Sequence, residues 1–105
     1  MIIVADAGQA TLTEPHDYTC LRMVGDGAPA DRAAALERSG LGIVDNGQVV
    51  LHIPAIARAL RSANAYSDRW FRSLVGCAAV WGWTRSGDDL RHSTQLSGDF
   101  EALGA

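Results

Sequence analysis

The sequence has no lysine, only two cysteines and no long apolar run. Cys20 and Cys77 lie 57 positions apart and neither has a C-x-x-C partner, which favours two reduced, buried thiols of a cytosolic protein over a disulfide or a zinc site. The longest apolar run, Leu74 to Trp83, has ten residues, about half of a membrane span. Met1 to Ala5 is too short for a signal peptide and lacks a basic start. We therefore predict a cytoplasmic protein that does not enter a membrane.

Arginine supplies all nine basic side chains, and charge is spread unevenly along the chain. Residues 1–53 hold three arginines against seven acids, residues 54–96 six arginines against three acids, and residues 97–105 two acids, which gives −4, +3 and −2. This asymmetry would steer two copies together, or steer an anionic ligand to the second half. The plainer interpretation is two solvated faces of opposite charge. Two explanations account for the use of arginine alone: a GC-rich coding sequence, or selection for bidentate anion contacts that lysine does not make.

The 105 residues are enough for one domain with a modest core. Leucine, isoleucine, valine and phenylalanine total 24 residues, more than the roughly one-fifth below which a charged chain tends to stay disordered. Strand and helix patterns follow one another largely in the order β-β-β-α-β-β-α-α-β-β. This order predicts the α+β class, with a small antiparallel sheet of short strands and hairpins packed against about three helices, and a frayed tail at 97–105.

The first third of the chain is predicted to contain three strands and one helix. The strands are Met1–Ala5, Ala10–Thr13 and Tyr18–Val24. The third strand would place Cys20 and Arg22 on one face. Pro29 suits the first turn of a helix of about ten residues, and Gly40 suits its left-handed C-terminal cap.

Asn46-Gly47, between two β-branched runs, predicts a two-residue hairpin turn, because both residues tolerate positive φ. In this register Val44 pairs with Val49, and Val50 and His52 share the opposite face of the strand from Val49. A second hairpin is predicted to close the chain, with Gly82–Thr84 and Leu90–Leu96 as strands and Arg85–Asp89 as the loop.

Two consecutive helices are predicted over Pro54–Asn64 and Ser67–Val80. One face of the second helix carries the apolar residues Trp70, Phe71, Leu74, Val75, Ala78 and Trp81. Such a face must be buried in the core or against a partner. Because so much large apolar surface is hard for a chain of this size to bury alone, we predict core plus interface, and hence a homodimer. The predicted ligand-binding or interface residues are Trp70, Trp81, Trp83, Arg58, Arg61 and Arg72.

Neither a metal nor a cofactor is predicted, because the possible soft ligands lack ligand spacing: His16, Cys20, His52, Cys77 and His92. The catalytic candidates are His16, Asp17, His52 and Cys20. Either histidine would act as a base oriented by Asp17 or Glu14. Cys20 would act as a nucleophile with help from Arg22, two residues further on. The structural alternatives are a solvated loop and a small buried cysteine.

Two signals for nucleic acid or phosphate are outweighed by other features. Two arginine-bearing helices followed by a hairpin match the order of a winged helix-turn-helix, with Arg58, Arg61, Arg69 and Arg72. A recognition helix needs polar side chains, whereas the second helix is mostly apolar and the net charge is −3. Gly25-Asp26-Gly27 lies between a strand and a helix, as phosphate-binding turns do, but it lacks a third glycine, a Lys-Ser/Thr pair and a βαβ unit with a second parallel strand. We interpret it as a turn, and a nucleic-acid partner is not favoured.

Three segments resemble small actinobacterial proteins: Val4–Gly8, Tyr18–Arg22, and Gly82–Thr84 followed by Arg91-His92. No activity is associated with that group, so the resemblance implies no functional residue. The predicted function is a small cytosolic accessory or small-ligand-binding protein that self-associates. The alternative is a cofactor-free enzyme, an isomerase, cyclase or hydrolase, that uses a histidine–carboxylate pair. A DNA-binding regulator is the third hypothesis.

Overall fold

The computed structural model describes residues 1–6, 8–25, 29–45 and 47–92. This part of the chain forms seven strands and three α-helices in the order β1 Ile2–Asp6, β2 Gln9–Thr13, β3 Arg22–Gly25, α1 Pro29–Arg38, β4 Gly42–Asp45, β5 Gln48–His52, α2 Ile53–Ser62, α3 Asp68–Gly76, β6 Trp83–Ser86 and β7 Asp89–His92. A short 3₁₀ helix, Ala78–Trp81, joins α3 to β6. The α+β class is confirmed. The tail predicted at 97–105 lies outside the described residues.

A three-stranded sheet has the order β2-β1-β3. The central strand β1 pairs antiparallel with β2 and parallel with β3, with Ile2 opposite Arg22. The chain leaves β2 and returns to the far side of β1, so this one pairing departs from the antiparallel pattern that the order of elements predicts. Ile3, Ala5 and Met23 point into the core from this sheet.

The third strand begins four residues later than predicted. The Tyr18 hydroxyl donates a hydrogen bond to the Ala65 carbonyl over 2.7 Å, and the Cys20 carbonyl accepts one from the Met1 amino group over 3.0 Å. These tertiary hydrogen bonds hold the segment before β3 outside the strand ladder. The prediction that Cys20 and Arg22 share a strand face is therefore wrong.

The second sheet has the order β4-β5-β7-β6, and all its pairings are antiparallel. The predicted hairpin register is confirmed, with Val44 opposite Val49, and Gly47 has a φ of 77°. Asn46 lies outside the described residues. The second predicted hairpin is also present, but its connection is shorter, because β6 continues to Ser86 and β7 begins at Asp89.

One hydrophobic core contains residues from both sheets and all three helices. Its largest fully buried side chain is Trp83, whose Nε1–H group donates to the Leu21 carbonyl over 2.9 Å. This hydrogen bond ties the four-stranded sheet to the segment that enters β3. Leu60 and Leu74 from the second and third helices are packed into the same core. No helix in the described residues is long and apolar enough to cross a membrane.

The predicted helix Ser67–Val80 is present as two pieces. Ser67 caps α3 by accepting a hydrogen bond from the backbone N–H of Trp70, and α3 ends at Gly76. The 3₁₀ turn that follows stops at Gly82, which has a φ of 92°. Phe71 and Leu74 are buried as predicted, whereas Trp70 is 54% exposed. Trp70 lies about 100° around the helix from Phe71, at the edge of the apolar face, and is not buried within the chain, so its burial against a partner stays a prediction.

Candidate functional site

Two of the predicted catalytic residues lie in the loop that follows β2, and they do not form an acid–base pair there. His16 is exposed. The Asp17 carboxylate accepts hydrogen bonds from the hydroxyl and the backbone N–H of Thr19, and it lies 3.9 Å from the Met1 amino group. These contacts, the Thr19 hydroxyl first, lower the pKa of Asp17. Asp17 is thus engaged in the turn and the N-terminus, rather than in orienting a histidine.

The two cysteines are both free, and neither is fully buried. Cys20 is half-buried, and its carbonyl holds the N-terminal amino group. Cys77 is exposed, because it is the residue at which α3 ends and the backbone turns. The prediction of two buried thiols is therefore wrong. Within the described residues, no group of three His, Cys, Asp or Glu side chains is arranged to hold a metal ion.

His52 forms the one histidine–carboxylate pair recorded in the described residues. Its Nδ1–H group donates to Asp89 Oδ1 over 2.9 Å, and both side chains are part-exposed. The two residues are register neighbours on β5 and β7, so the sheet itself holds them together. We predicted Asp17 or Glu14 as the carboxylate partner of the histidine, and that prediction is wrong, because the partner is Asp89. The sequence did not point to Asp89, because the turn pattern predicts a loop at Arg85–Asp89 and the register of β5 against β7 cannot be predicted from local residues.

The His52–Asp89 pair lies on the face of the four-stranded sheet opposite the buried Leu51. A second ion pair lies on the same face, where Arg91 contacts the Asp45 carboxylate at 3.2 Å. Because a carboxylate only accepts, Asp89 fixes a proton on Nδ1 and directs Nε2 of the His52 ring away from the pair. The pair has acid–base capacity, and the other predicted catalytic residues are in a different part of the fold.

His92 serves the packing of the second hairpin. Its Nε2–H group donates to the Trp81 carbonyl over 3.2 Å, and its ring meets Trp83 edge-on, with 4.9 Å between the ring centroids. A Cβ atom on Gly82 would lie only 2.7 Å from His92 Nε2, so the close approach requires glycine there. Burial lowers the pKa of His92 from its ordinary value of 6.5, and the hydrogen bond to Trp81 opposes this only in part.

Acidification should therefore destabilise the protein through His92. The pKa of His92 is lower in the folded chain than in the unfolded chain. As the pH falls through the unfolded-state pKa, the unfolded chain binds a proton at His92 more readily than the folded chain does, so the free energy of unfolding falls. Urea unfolding between about pH 7.5 and pH 5 measures this slope. We expect His92→Asn to have a shallower slope than the wild type at the acidic end. Parallel slopes for the two proteins would contradict the assignment to His92.

Some of the predicted interface residues are packed in or against the core, and the others lie at the surface. Trp83 is in the core, and Trp81 is half-buried against it. The arginines are held at the surface: Arg58 is exposed, the Arg61 guanidinium lies 4.3 Å from the centre of the Tyr66 ring, and Arg72 pairs with Asp68 at 3.2 Å. Of the three predicted tryptophans, only Trp70 is exposed.

Trp70 belongs to a line of exposed residues along α3 and the 3₁₀ turn, which we call the Trp70–Val80 strip. Its members are Trp70, Ser73, Cys77 and Val80, all exposed. A spacing of three, four and three residues would place them along one side of a continuous helix, but α3 ends at Gly76, so Trp70 and Ser73 lie on α3 whereas Cys77 and Val80 belong to the turn that follows. None carries a charge, and Val80 is 80% exposed. The sequence reading missed Val80 because it treats the whole segment as one helix with a single buried face.

No protein-family model, curated protein or solved structure matches the chain. The resemblance to actinobacterial proteins therefore stays a prediction, and functional assignment depends on the described geometry alone.

Proposed function

We propose that this chain is a cytoplasmic accessory protein that self-associates through the Trp70–Val80 strip. The observation that carries the proposal is the exposure of two large apolar side chains, Trp70 on α3 and Val80 on the 3₁₀ turn that follows it. Scattered apolar side chains are normal on a protein surface, but large ones on neighbouring elements are typical of docking surfaces. Tryptophan is also among the residues that contribute most to interface stability.

The strip is self-complementary in size. Read from either end, its order is large, small, small, large, and its midpoint falls at position 75. Two antiparallel copies of the segment 70–80, which spans α3 and the 3₁₀ turn, related by a two-fold axis at this point would place Trp70 of one copy against Val80 of the other. Ser73 would then face Cys77, and these small side chains would allow the two helices to approach closely.

Charge favours the antiparallel arrangement over the parallel one. Arg69 and Arg72 are exposed near the start of α3. Parallel helices would bring the arginines of both copies together, with a repulsion that the antiparallel pair avoids. In the antiparallel pair, each set of arginines approaches the end of the other helix, where free carbonyl groups carry partial negative charge. The uneven charge of the chain thus supports association of two copies.

Replacing Trp70 with alanine should weaken self-association strongly. One helix-on-helix contact is small for a stable interface, so we expect a wild-type dissociation constant on the order of 10 µM. A tryptophan that packs against the partner in such a contact contributes about 2 kcal/mol or more, so Trp70→Ala should raise the dissociation constant at least about 30-fold. Sedimentation equilibrium over a range of protein concentrations measures both values.

Ile43→Ala is the matched control, because Ile43 is another exposed apolar side chain and lies on the four-stranded sheet. It should associate like the wild type, while Val80→Ser should resemble Trp70→Ala. A wild-type protein that remains monomeric up to about 200 µM, well above the expected constant, would overturn the proposal. Equal weakening by Ile43→Ala and Trp70→Ala would place the interface elsewhere.

A further inference from the structure

Arg32 is a buried cation without a carboxylate partner in the described residues. Its side chain is on α1 and only 4% of the residue is exposed. The Nε atom has no hydrogen-bond partner, and one terminal nitrogen reaches the Gly25 carbonyl at 3.4 Å, near the limit for a hydrogen bond. None of the ion pairs between described residues includes Arg32. A buried charge in this condition is costly unless an anion accompanies it.

The guanidinium lies at a helix N-terminus. Helix side chains lean toward the N-terminal end, and the contact with Gly25, which ends β3 before α1, shows that Arg32 does so. The backbone N–H groups of Ala30 and Asp31 have no acceptor inside the helix, and the helix dipole adds partial positive charge. The Asp31 carboxylate lies in the same turn, but it is exposed, so solvent screens its charge.

The sheet supplies one feature that the sequence did not predict, a second parallel strand, although β2 and not a helix connects β1 to β3. β1 and β3 are parallel and end side by side, with Ala5 opposite Gly25. The carboxyl ends of parallel strands, followed by a helix N-terminus, are where α/β proteins hold phosphate groups. A Cβ on Gly25 would lie 2.3 Å from the Ala5 carbonyl oxygen and 2.8 Å from Arg32 Cδ. Glycine is therefore needed for the backbone and the arginine to approach each other this closely.

We propose that Arg32 and the first turn of α1 bind a phosphate group, either free phosphate or the phosphoryl group of a small ester. A phosphate offers several acceptor oxygens at once, which matches the planar donor set of the guanidinium together with the free N–H groups of the helix. The proposed phosphate site shares no residue with the Trp70–Val80 strip, so a test of phosphate binding does not depend on whether the protein self-associates.

Phosphate should raise the melting temperature of the full-length chain through Arg32. We expect a rise of about 5 °C when free phosphate exceeds its dissociation constant about tenfold, relative to sodium chloride of the same ionic strength. Glycerol 3-phosphate is the second probe. A rise with both anions assigns the site to phosphate esters as well, and a rise with inorganic phosphate alone assigns it to the free ion.

Arg32→Met should abolish the rise, and Arg38→Met is the matched control, because Arg38 is exposed on the same helix. A rise that survives in Arg32→Met reflects the general stabilisation by excluded salts and overturns the proposal. If Arg32→Met does not fold, the Nε–H resonance of Arg32 in the wild type is the readout: it should shift on addition of phosphate and not of chloride. The absence of a rise in the wild type with either anion would also overturn the proposal.

Discussion

Replacing Trp83 with alanine should lower the free energy of unfolding by about 3–5 kcal/mol. Trp83 is 2% exposed and is the largest of the fully buried side chains. Its removal takes apolar surface out of the core and leaves a cavity that the strands on either side cannot fully close. It also removes the donor to the Leu21 carbonyl, which lies between the two sheets. Urea unfolding followed by circular dichroism measures the loss.

Two variants separate the contributions of Trp83. Trp83→Phe keeps an aromatic ring but loses the hydrogen bond to Leu21, and it should cost about 1–3 kcal/mol. Trp70→Ala removes the same side chain from an exposed position and should cost less than about 1 kcal/mol in dilute solution, where self-association does not contribute. Equal costs for Trp83→Ala and Trp70→Ala would show that the assignment of the two tryptophans to core and surface is wrong.

Replacing Gly42 with alanine should cost about 3 kcal/mol, because the new methyl group meets backbone rather than a flexible side chain. An ideal Cβ on Gly42 would lie 2.1 Å from the Val50 carbonyl oxygen and 3.1 Å from Leu51 Cα. The edge strand β4 would have to move away from β5, which weakens the pairing that the predicted hairpin establishes. The same urea experiment measures the effect.

Gly76→Ala is the control for Gly42→Ala, because the chemical change is the same and the surroundings are open. Nothing lies within 4 Å of an ideal Cβ on Gly76, which is in the last turn of α3. Alanine should there stabilise the helix by about 0.5–1 kcal/mol, since it restricts the unfolded chain more than glycine does. A destabilisation of similar size in both variants would argue against the tight β4–β5 approach.

The features that were predicted correctly are those that neighbouring residues decide. Asn46-Gly47 between two β-branched runs was sufficient for the register of Val44 against Val49, because turn length sets hairpin register. Pro29 and Pro54 likewise mark the starts of α1 and α2 to within one residue. The spacing of Phe71, Leu74 and Val75 was sufficient for the buried face of α3.

The features that were missed depend on partners far along the chain. Trp70 sits at the edge of an apolar face, and whether an edge residue is buried depends on the neighbouring element, not on its spacing. The pairing of His52 with Asp89 spans 37 positions and requires the register of β5 against β7. Cys77 is exposed because the helix ends one residue earlier, an end that no strong local signal marks.

Local chemistry along the chain was thus enough for the class of fold, the first hairpin and the presence of the helices, because propensity, turn type and periodicity act over a few residues. Long-range packing decided the parallel pairing of β1 with β3, the burial of Arg32 and the exposure of Trp70 and Val80. Both proposed sites belong to this second group. Their side chains meet, or remain uncovered, only when the two sheets and the helices close around one core.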